Sequence, residues 1–155
     1  MSKIYRSEEF VTFGDKTKIV ISDPDPCSRA WVEVDSKAIE NNARLIKNFI
    51  GKDCLLMAVV KADGYGHGAN TVAKAALLGG ADSLGVATLE EGIELRKAGF
   101  HCKILILGNL INSEQLFSSF YWDLIPTISG IREAILCNNI AETNDKKFVI
   151  HLKVD

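Results

Sequence analysis

From residue 30 onward, short apolar runs alternate with stretches whose apolar residues recur at steps of three and four. The runs read as strands: "AWVEVD" (30–35), "LLMAVVK" (55–61), "SLGVAT" (83–88), "KILILG" (103–108), "DLIPTI" (123–128) and "FVIHLKV" (148–154). The intervening stretches read as helices. "SKAIENNARLIKNFIG" puts Ile39, Ala43, Ile46 and Ile50 on one stripe with Gly51 as the stop. "GANTVAKAALLGG" gathers Ala69, Val72, Ala73, Ala76 and Leu77 on one face and stops at Gly79. "TLEEGIELRKAG" opens with Thr88 and Glu91 in capping-box spacing and ends at Gly99. "NSEQLFSSF" and "SGIREAILCNN" offer Ser113 and Ser129 as N-caps.

Strand followed by helix, repeated, predicts a parallel sheet covered by helices. The runs at 55–61 and 103–108 are apolar almost throughout, as strands covered on both faces are. "FVIHLKV" instead places polar residues at period two, facing a barrel interior or a site. Six such units complete a doubly wound open sheet but not a (β/α)8 barrel, and the pattern leaves both open. Residues 1–28 read as an N-terminal extension with room for one or two short strands, broken by "DPDP".

Composition narrows the function. The chain has 155 residues, 47% hydrophobic and 25% charged, as a soluble globular domain does. A formal net charge of −2 provides no basic field for nucleic acid or an anionic membrane surface. No apolar run approaches the ~20 residues of a membrane span. The opening "MSKIYRSEEFVTFGDKTK" lacks the apolar core of a signal peptide, so the expected location is the cytoplasm. Cys27, Cys54, Cys102 and Cys137 form no CxxC pair; they read as buried, reduced thiols with no metal site. Trp31, Tyr121 and Trp122 read as core or shell, His101 as solvated and His151 as packed in its strand.

The candidate chemistry sits in "LLMAVVKADGYGHGA" (55–69). Lys61 closes an apolar strand at its carboxyl end, where parallel sheets collect ligands. Glycines let backbone approach a ligand, and a following helix N-terminus suits a phosphate; Tyr65 adds a hydroxyl donor. The bland alternative is a lysine snorkelling above a turn that needs positive φ. The chemical alternative is an amine, partly desolvated, that forms a Schiff base with an aldehyde cofactor such as pyridoxal phosphate. The pattern matches neither GxxxxGK[ST] nor GxGxxG, so a nucleotide loop is a poor fit.

"AVVKADGYGHG" closely resembles the pyridoxal-phosphate attachment signature of bacterial alanine racemases. "RAWVEVDSKAIENNARLIK", "GADSLGVATLEEGIELRKAG", "KILILG" and "IHLKVD" resemble further segments of that family in order, covering residues 29–155. The resemblance implies a (β/α)8 TIM-type barrel, present here as an incomplete barrel of about six βα units, with the remaining barrel and a C-terminal β-domain absent. It also implies a pyridoxal-phosphate cofactor, alanine as substrate, a homodimer, and supply of D-alanine for peptidoglycan. By motif, Lys61 carries the cofactor and acts as a catalytic base, and Tyr65 contacts its phosphate. Leu107 lines the ring pocket, and Lys153 matches a lysine often carbamylated in the family. Asp63 and Gly64 depart mildly from the family's asparagine and alanine. On this reading the chain is a truncated racemase, inactive by itself; the competing readings are a pyridoxal-phosphate carrier and a non-enzymatic α/β interaction domain.

Overall fold

A computed structural model describes residues 11–13, 16–20 and 32–154. Two short strands, β1 (Val11–Phe13) and β2 (Lys16–Val20), pair antiparallel. β2 then pairs antiparallel with β3 (Glu33–Val34), through Ile19 with Val34 and Val20 with Glu33. The first strand of the expected sheet therefore lies outside that sheet. Only "VEVD" (32–35) of that run alternates apolar and polar residues, a pattern that suits a sheet with one wet face better than a strand covered on both. Val34 is buried and Glu33 exposed, in keeping with that alternation.

The parallel sheet holds five strands: β4 (Met57–Val59), β5 (Ser83–Val86), β6 (Lys103–Asn109), β7 (Ile125–Ile128) and β8 (His151–Leu152). Every neighbouring pair is parallel, and the order in space follows the order in sequence. A doubly wound sheet reverses its order at a switch point, whereas a barrel wall adds each strand beside the last. The chain is therefore part of a (β/α)8 barrel wall, a distinction that periodicity alone left open. Helix α1 (Ser36–Ile50) precedes this wall. The strands are joined by α2 (Lys61–Tyr65), α3 (Ala69–Leu78), α4 (Leu89–Lys97), α5 (Ser113–Tyr121) and α6 (Ile131–Thr143).

Strand side chains alternate between two faces. Val60, Leu84, Val86, Ile104, Ile106 and Ile128 point to the helices and form the main core with Ala73, Leu89, Leu95, Leu116, Leu124 and Cys137. Truncating one of the large members to alanine costs about 2–5 kcal/mol in cores of this kind. β4 is only half-buried, because its other face looks into the open barrel interior. A smaller cluster of Ala43, Ala76 and Ala81 joins α1 to α3. Gly79 sets how near those helices come, since a Cβ there would run into the Glu40 carbonyl and the Ala43 side chain. On the expected stripe of α1, Ala43 is buried and Ile39 and Ile50 are half-buried, but Ile46 is half exposed.

Caps explain most helix starts. Asp35 caps α1 by accepting from Ala38 N at 3.0 Å, and Thr88 with Glu91 completes the expected capping box of α4. Two expected caps move by one residue. Asn112 rather than Ser113 caps α5, accepting from Gln115 N at 2.8 Å. Gly130 precedes α6, and the Ser129 hydroxyl instead accepts from Asn109 Nδ2 at 2.9 Å. At the opposite end of the strands, the Arg96 guanidinium donates to the carbonyls of Trp122, Phe100, Cys102 and Asp123. One side chain thus ties the end of α4 to the starts of β6 and β7.

Of the expected buried thiols, Cys137 is buried and Cys102 half-buried, and burial pushes both thiols up; Cys54 is exposed and Cys27 lies outside the described residues. Trp31 also lies outside them; Trp122 is half-buried, while Tyr121, His101 and His151 are exposed. His151 faces the open interior rather than a packed core. No helix among the described residues is long and apolar enough to cross a membrane.

Asp82, between α3 and β5, accepts from Lys47 Nζ and from Leu56 N, both at 2.7 Å. These bonds, the lysine's first, hold its carboxyl below the ordinary 3.8. A lowered folded value means that the stabilisation is present above 3.8 and is lost as pH falls through the lowered value. Unfolding midpoints recorded from pH 6 down to about pH 3 should therefore fall less steeply for Asp82→Asn than for the parent. Identical slopes would remove Asp82 from the acid sensitivity of the fold.

Candidate active site

The carboxyl ends of the five parallel strands form one rim, and Lys61 stands on it. β4 ends at Val59, two residues earlier than the apolar run suggests. Val60 is buried and its N–H donates to Gly85 O at 2.8 Å, which keeps the chain against β5 up to the lysine. Lys61 is half-buried, and its ammonium has no hydrogen-bond or ion-pair partner among the described residues.

After Lys61 the chain turns with the wrong hand. Ala62, Asp63 and Gly64 lie at φ 52, 53 and 61°, with ψ 50, 47 and 36°, and Tyr65 follows at φ 56°. This is a left-handed turn of helix, which costs L-residues roughly 1–2 kcal/mol each. Gly64 is its one residue without that cost. Bonds within the turn offset part of the strain: Gly64 N to Val60 O at 2.9 Å, Gly66 N to Ala62 O at 3.1 Å and Gly68 N to Asp63 O at 2.9 Å. His67, exposed, directs Nδ1 at the carbonyls of Gly64 and Tyr65, both at 3.1 Å, so that nitrogen carries the proton.

The turn is also anchored from outside. Ala62 N donates to Glu91 Oε1 at 2.7 Å, across from the start of α4. Asp63 Oδ1 accepts from Ala69 N at 2.9 Å and so occupies the N-terminus of α3. The first N–H of α3 is thus taken by a carboxylate, and an anion at that N–H would meet negative charge.

Leu107 and Asn109 of β6, with Ser129 and Lys153 just beyond the ends of β7 and β8, come together on the rim, and Lys61 stands just beyond the end of β4. A cleft of about 500 Å³ at the ends of β6, β7 and β8 is lined by Leu107, Gly108, Asn109, Ser129 and Lys153. Gly85 opens the wall between this cleft and β4. A Cβ on Gly85 would lie 3.7 Å from Leu107 Cδ1, 3.2 Å from Met57 Sδ and 3.4 Å from Val59 Cγ2. Leu107 therefore reaches across the same interior surface that ends at Lys61. Tyr65 is 59% exposed and, like Lys61, lies outside the lining of the cleft. Lys153 is anchored through its backbone, its N–H donating to Ile128 O at 2.8 Å. Three site residues escaped sequence reasoning: Glu91, legible only as a helix-capping glutamate, and the bonded pair Asn109 and Ser129, which stand at the ends of neighbouring strands.

A partial parallel barrel with an unpartnered lysine on its carboxyl rim defines a class, the barrels whose ligand sites are built from strand ends. The comparisons define the family. The profile of the alanine racemase N-terminal domain matches residues 34–155, and the chain belongs to that family. It is 60% identical over 139 residues to an alanine racemase of Prochlorococcus marinus, covering 90% of this chain and 36% of that protein. It is 47% identical over 129 residues to an alanine racemase of Nostoc sp., covering 82% and 33%. The crystal structure of alanine racemase from E. faecalis superposes with a TM-score of 0.70 at 36% identity, covering 79% of this chain and 33% of that one. The chain thus spans about a third of the length of the relatives it matches.

Asp63 Oδ1 accepts from the first N–H of α3, so Asp63→Ala should lower stability by about 1 kcal/mol, whereas Asp63→Asn, which keeps an acceptor oxygen, should lose less than about half of that. Chemical denaturation of the three proteins checks this. Equal losses for both variants would assign the effect to the left-handed turn rather than to the bond with Ala69.

Proposed function

We propose that this chain is the cofactor-bearing barrel part of an alanine racemase, an isomerase that interconverts L-alanine and D-alanine with pyridoxal phosphate. The observation that carries this reading is Lys61. Its amine is half-buried, unpartnered among the described residues and held on the strand-end rim by a turn that local propensity opposes. Strain of this kind concentrates at functional sites. The barrel assignment covers residues 29–155, with 1–28 as an N-terminal extension.

The fit to the cofactor is good at the amine end. Lys61 would hold the aldehyde end, and Leu107 would wall the ring from the neighbouring strands. The phosphate would take the Tyr65 hydroxyl, not the start of α3, which Asp63 already fills. When bound, the cofactor supplies an electron sink that makes loss of the α-hydrogen feasible. Lys61 Nζ would move that proton on one face of the α-carbon. Racemisation needs a second proton-transferring group on the other face, and the family's full length supplies it from a segment beyond these residues. Lys153, on the interior face beside Asn109 and Ser129, would orient a partner on that rim, carbamylated or not. We place the protein in the cytoplasm as a homodimer that supplies D-alanine for peptidoglycan, and assign the present chain little turnover of its own.

Incubation with pyridoxal phosphate followed by borohydride should give a mass-shifted adduct on Lys61, absent from Lys61→Ala. α-Deuterium exchange of alanine in heavy water by the full encoded protein should fall at least about a hundredfold in that variant. No adduct on Lys61 would end the cofactor reading and leave an interaction domain. An adduct without α-exchange by the full encoded protein would instead indicate a cofactor carrier.

A further inference from the structure

We infer that Glu91 is a positioning residue for Lys61, which it holds through the backbone of the following residue. Its carboxylate serves two junctions at once. Oε2 accepts from Ala87 N at 2.7 Å and Thr88 N at 3.3 Å, which closes the start of α4. Oε1 turns the other way and accepts from Ala62 N at 2.7 Å. Helix capping needs only the first of these; the second reaches 29 residues back along the chain, to the first residue of the left-handed turn.

The consequence for the lysine is geometric. Lys61 is bracketed by two bonds to the same neighbouring strand–helix unit: Val60 N to Gly85 O at 2.8 Å before it, and Ala62 N to Glu91 Oε1 at 2.7 Å after it. The Glu91 bond fixes the peptide plane between Lys61 and Ala62, and the bond from Gly64 N to Val60 O at 2.9 Å fixes the plane between Val60 and Lys61; the two planes set the direction of the Lys61 Cα–Cβ bond. The turn's own bonds begin only at Gly64 N, so Glu91 is what satisfies the Ala62 N–H. A carboxylate accepting a short N–H bond is worth more than a neutral acceptor, and Ala62 sits in a backbone region it would otherwise leave.

The discriminating variant is Glu91→Gln. Glutamine preserves a capping box, but its single amide oxygen can serve only one junction, leaving an NH2 facing an N–H at the other. Thr88→Ala is the control: it removes the hydroxyl that accepts from Glu91 N at 3.3 Å and leaves Ala62 untouched. Two readouts are taken on the full encoded protein, with circular dichroism to confirm folding. The first, independent of any cofactor, is amide hydrogen exchange at Ala62. In Glu91→Gln it should quicken about tenfold or more, as loss of one charge-assisted bond implies. In Thr88→Ala it should stay within about twofold, while the unfolding midpoint drops. The second readout rests on the cofactor reading: the association constant for the pyridoxal-phosphate adduct on Lys61 should fall about tenfold in Glu91→Gln alone. Unchanged Ala62 protection in folded Glu91→Gln overturns the inference. So does an unchanged adduct constant where the parent forms the adduct. If the parent forms none, the cofactor reading fails by itself, and Ala62 exchange still decides whether Glu91 holds the lysine's backbone.

Discussion

The two-residue period of the parallel strands is the constraint on which the rest of the molecule depends. It sends Val60, Leu84, Val86, Ile104, Ile106 and Ile128 to one side, where helices close over them. It sends Met57, Val59, Gly85 and Leu107 to the other, the face that ends at the rim carrying Lys61, Asn109 and Lys153. Stability and chemistry are therefore drawn from the same strands but from different faces. A substitution at an even-numbered position from 58 to 106 on β4, β5 or β6 is felt by the core; one at an odd position near the rim is felt by the site. Arg96 gathers four carbonyls at the opposite strand ends, so the wall is also tied together on the side away from Lys61.

At the rim, order is imposed by distant partners rather than by local preference. Ala62 and Tyr65 adopt a hand that their side chains disfavour, and Glu91, Asp63 and His67 hold them there. The same bonds redistribute charge. Asp63 takes the first N–H of α3, while Lys61 and Tyr65 stand at the two ends of the same five-residue turn. Gly64 fits this arrangement tightly: a Cβ there would lie 2.9 Å from Val72 Cγ2.

Much of this was legible in the chain. Periodicity gave α1, α3 and α4 nearly to the residue, and the capping box of α4 was readable from Thr88 and Glu91 alone. "AVVKADGYGHG" pointed to the family without any coordinates. The failures have physical causes. "AWVEVD" resembles a sheet strand in composition, yet only its second half alternates, and there Glu33 and Val34 join the antiparallel sheet. Ser113 stands beside Asn112, which caps α5 instead, and Ser129 stands one residue before Gly130, where α6 starts without a side-chain cap. Five strands in sequential order separate a barrel wall from a doubly wound sheet, and pairing order leaves no trace in hydrophobic period. The left-handed turn was invisible for a related reason: its glycines announce positive φ, but nothing local says that Ala62 and Tyr65 share it.

The left-handed turn also orders events in time. Its stabilising carboxylate lies 29 residues downstream, on a helix that must first pack against β5. A segment whose own preferences oppose its native shape, and whose partner is distant in the chain, gains its conformation only once that partner is in place. The lysine rim therefore matures after the β4–β5–α4 unit has assembled. Until then the amine belongs to a loop with no fixed direction, so the chain acquires its reactive geometry as a late product of folding rather than as a seed of it.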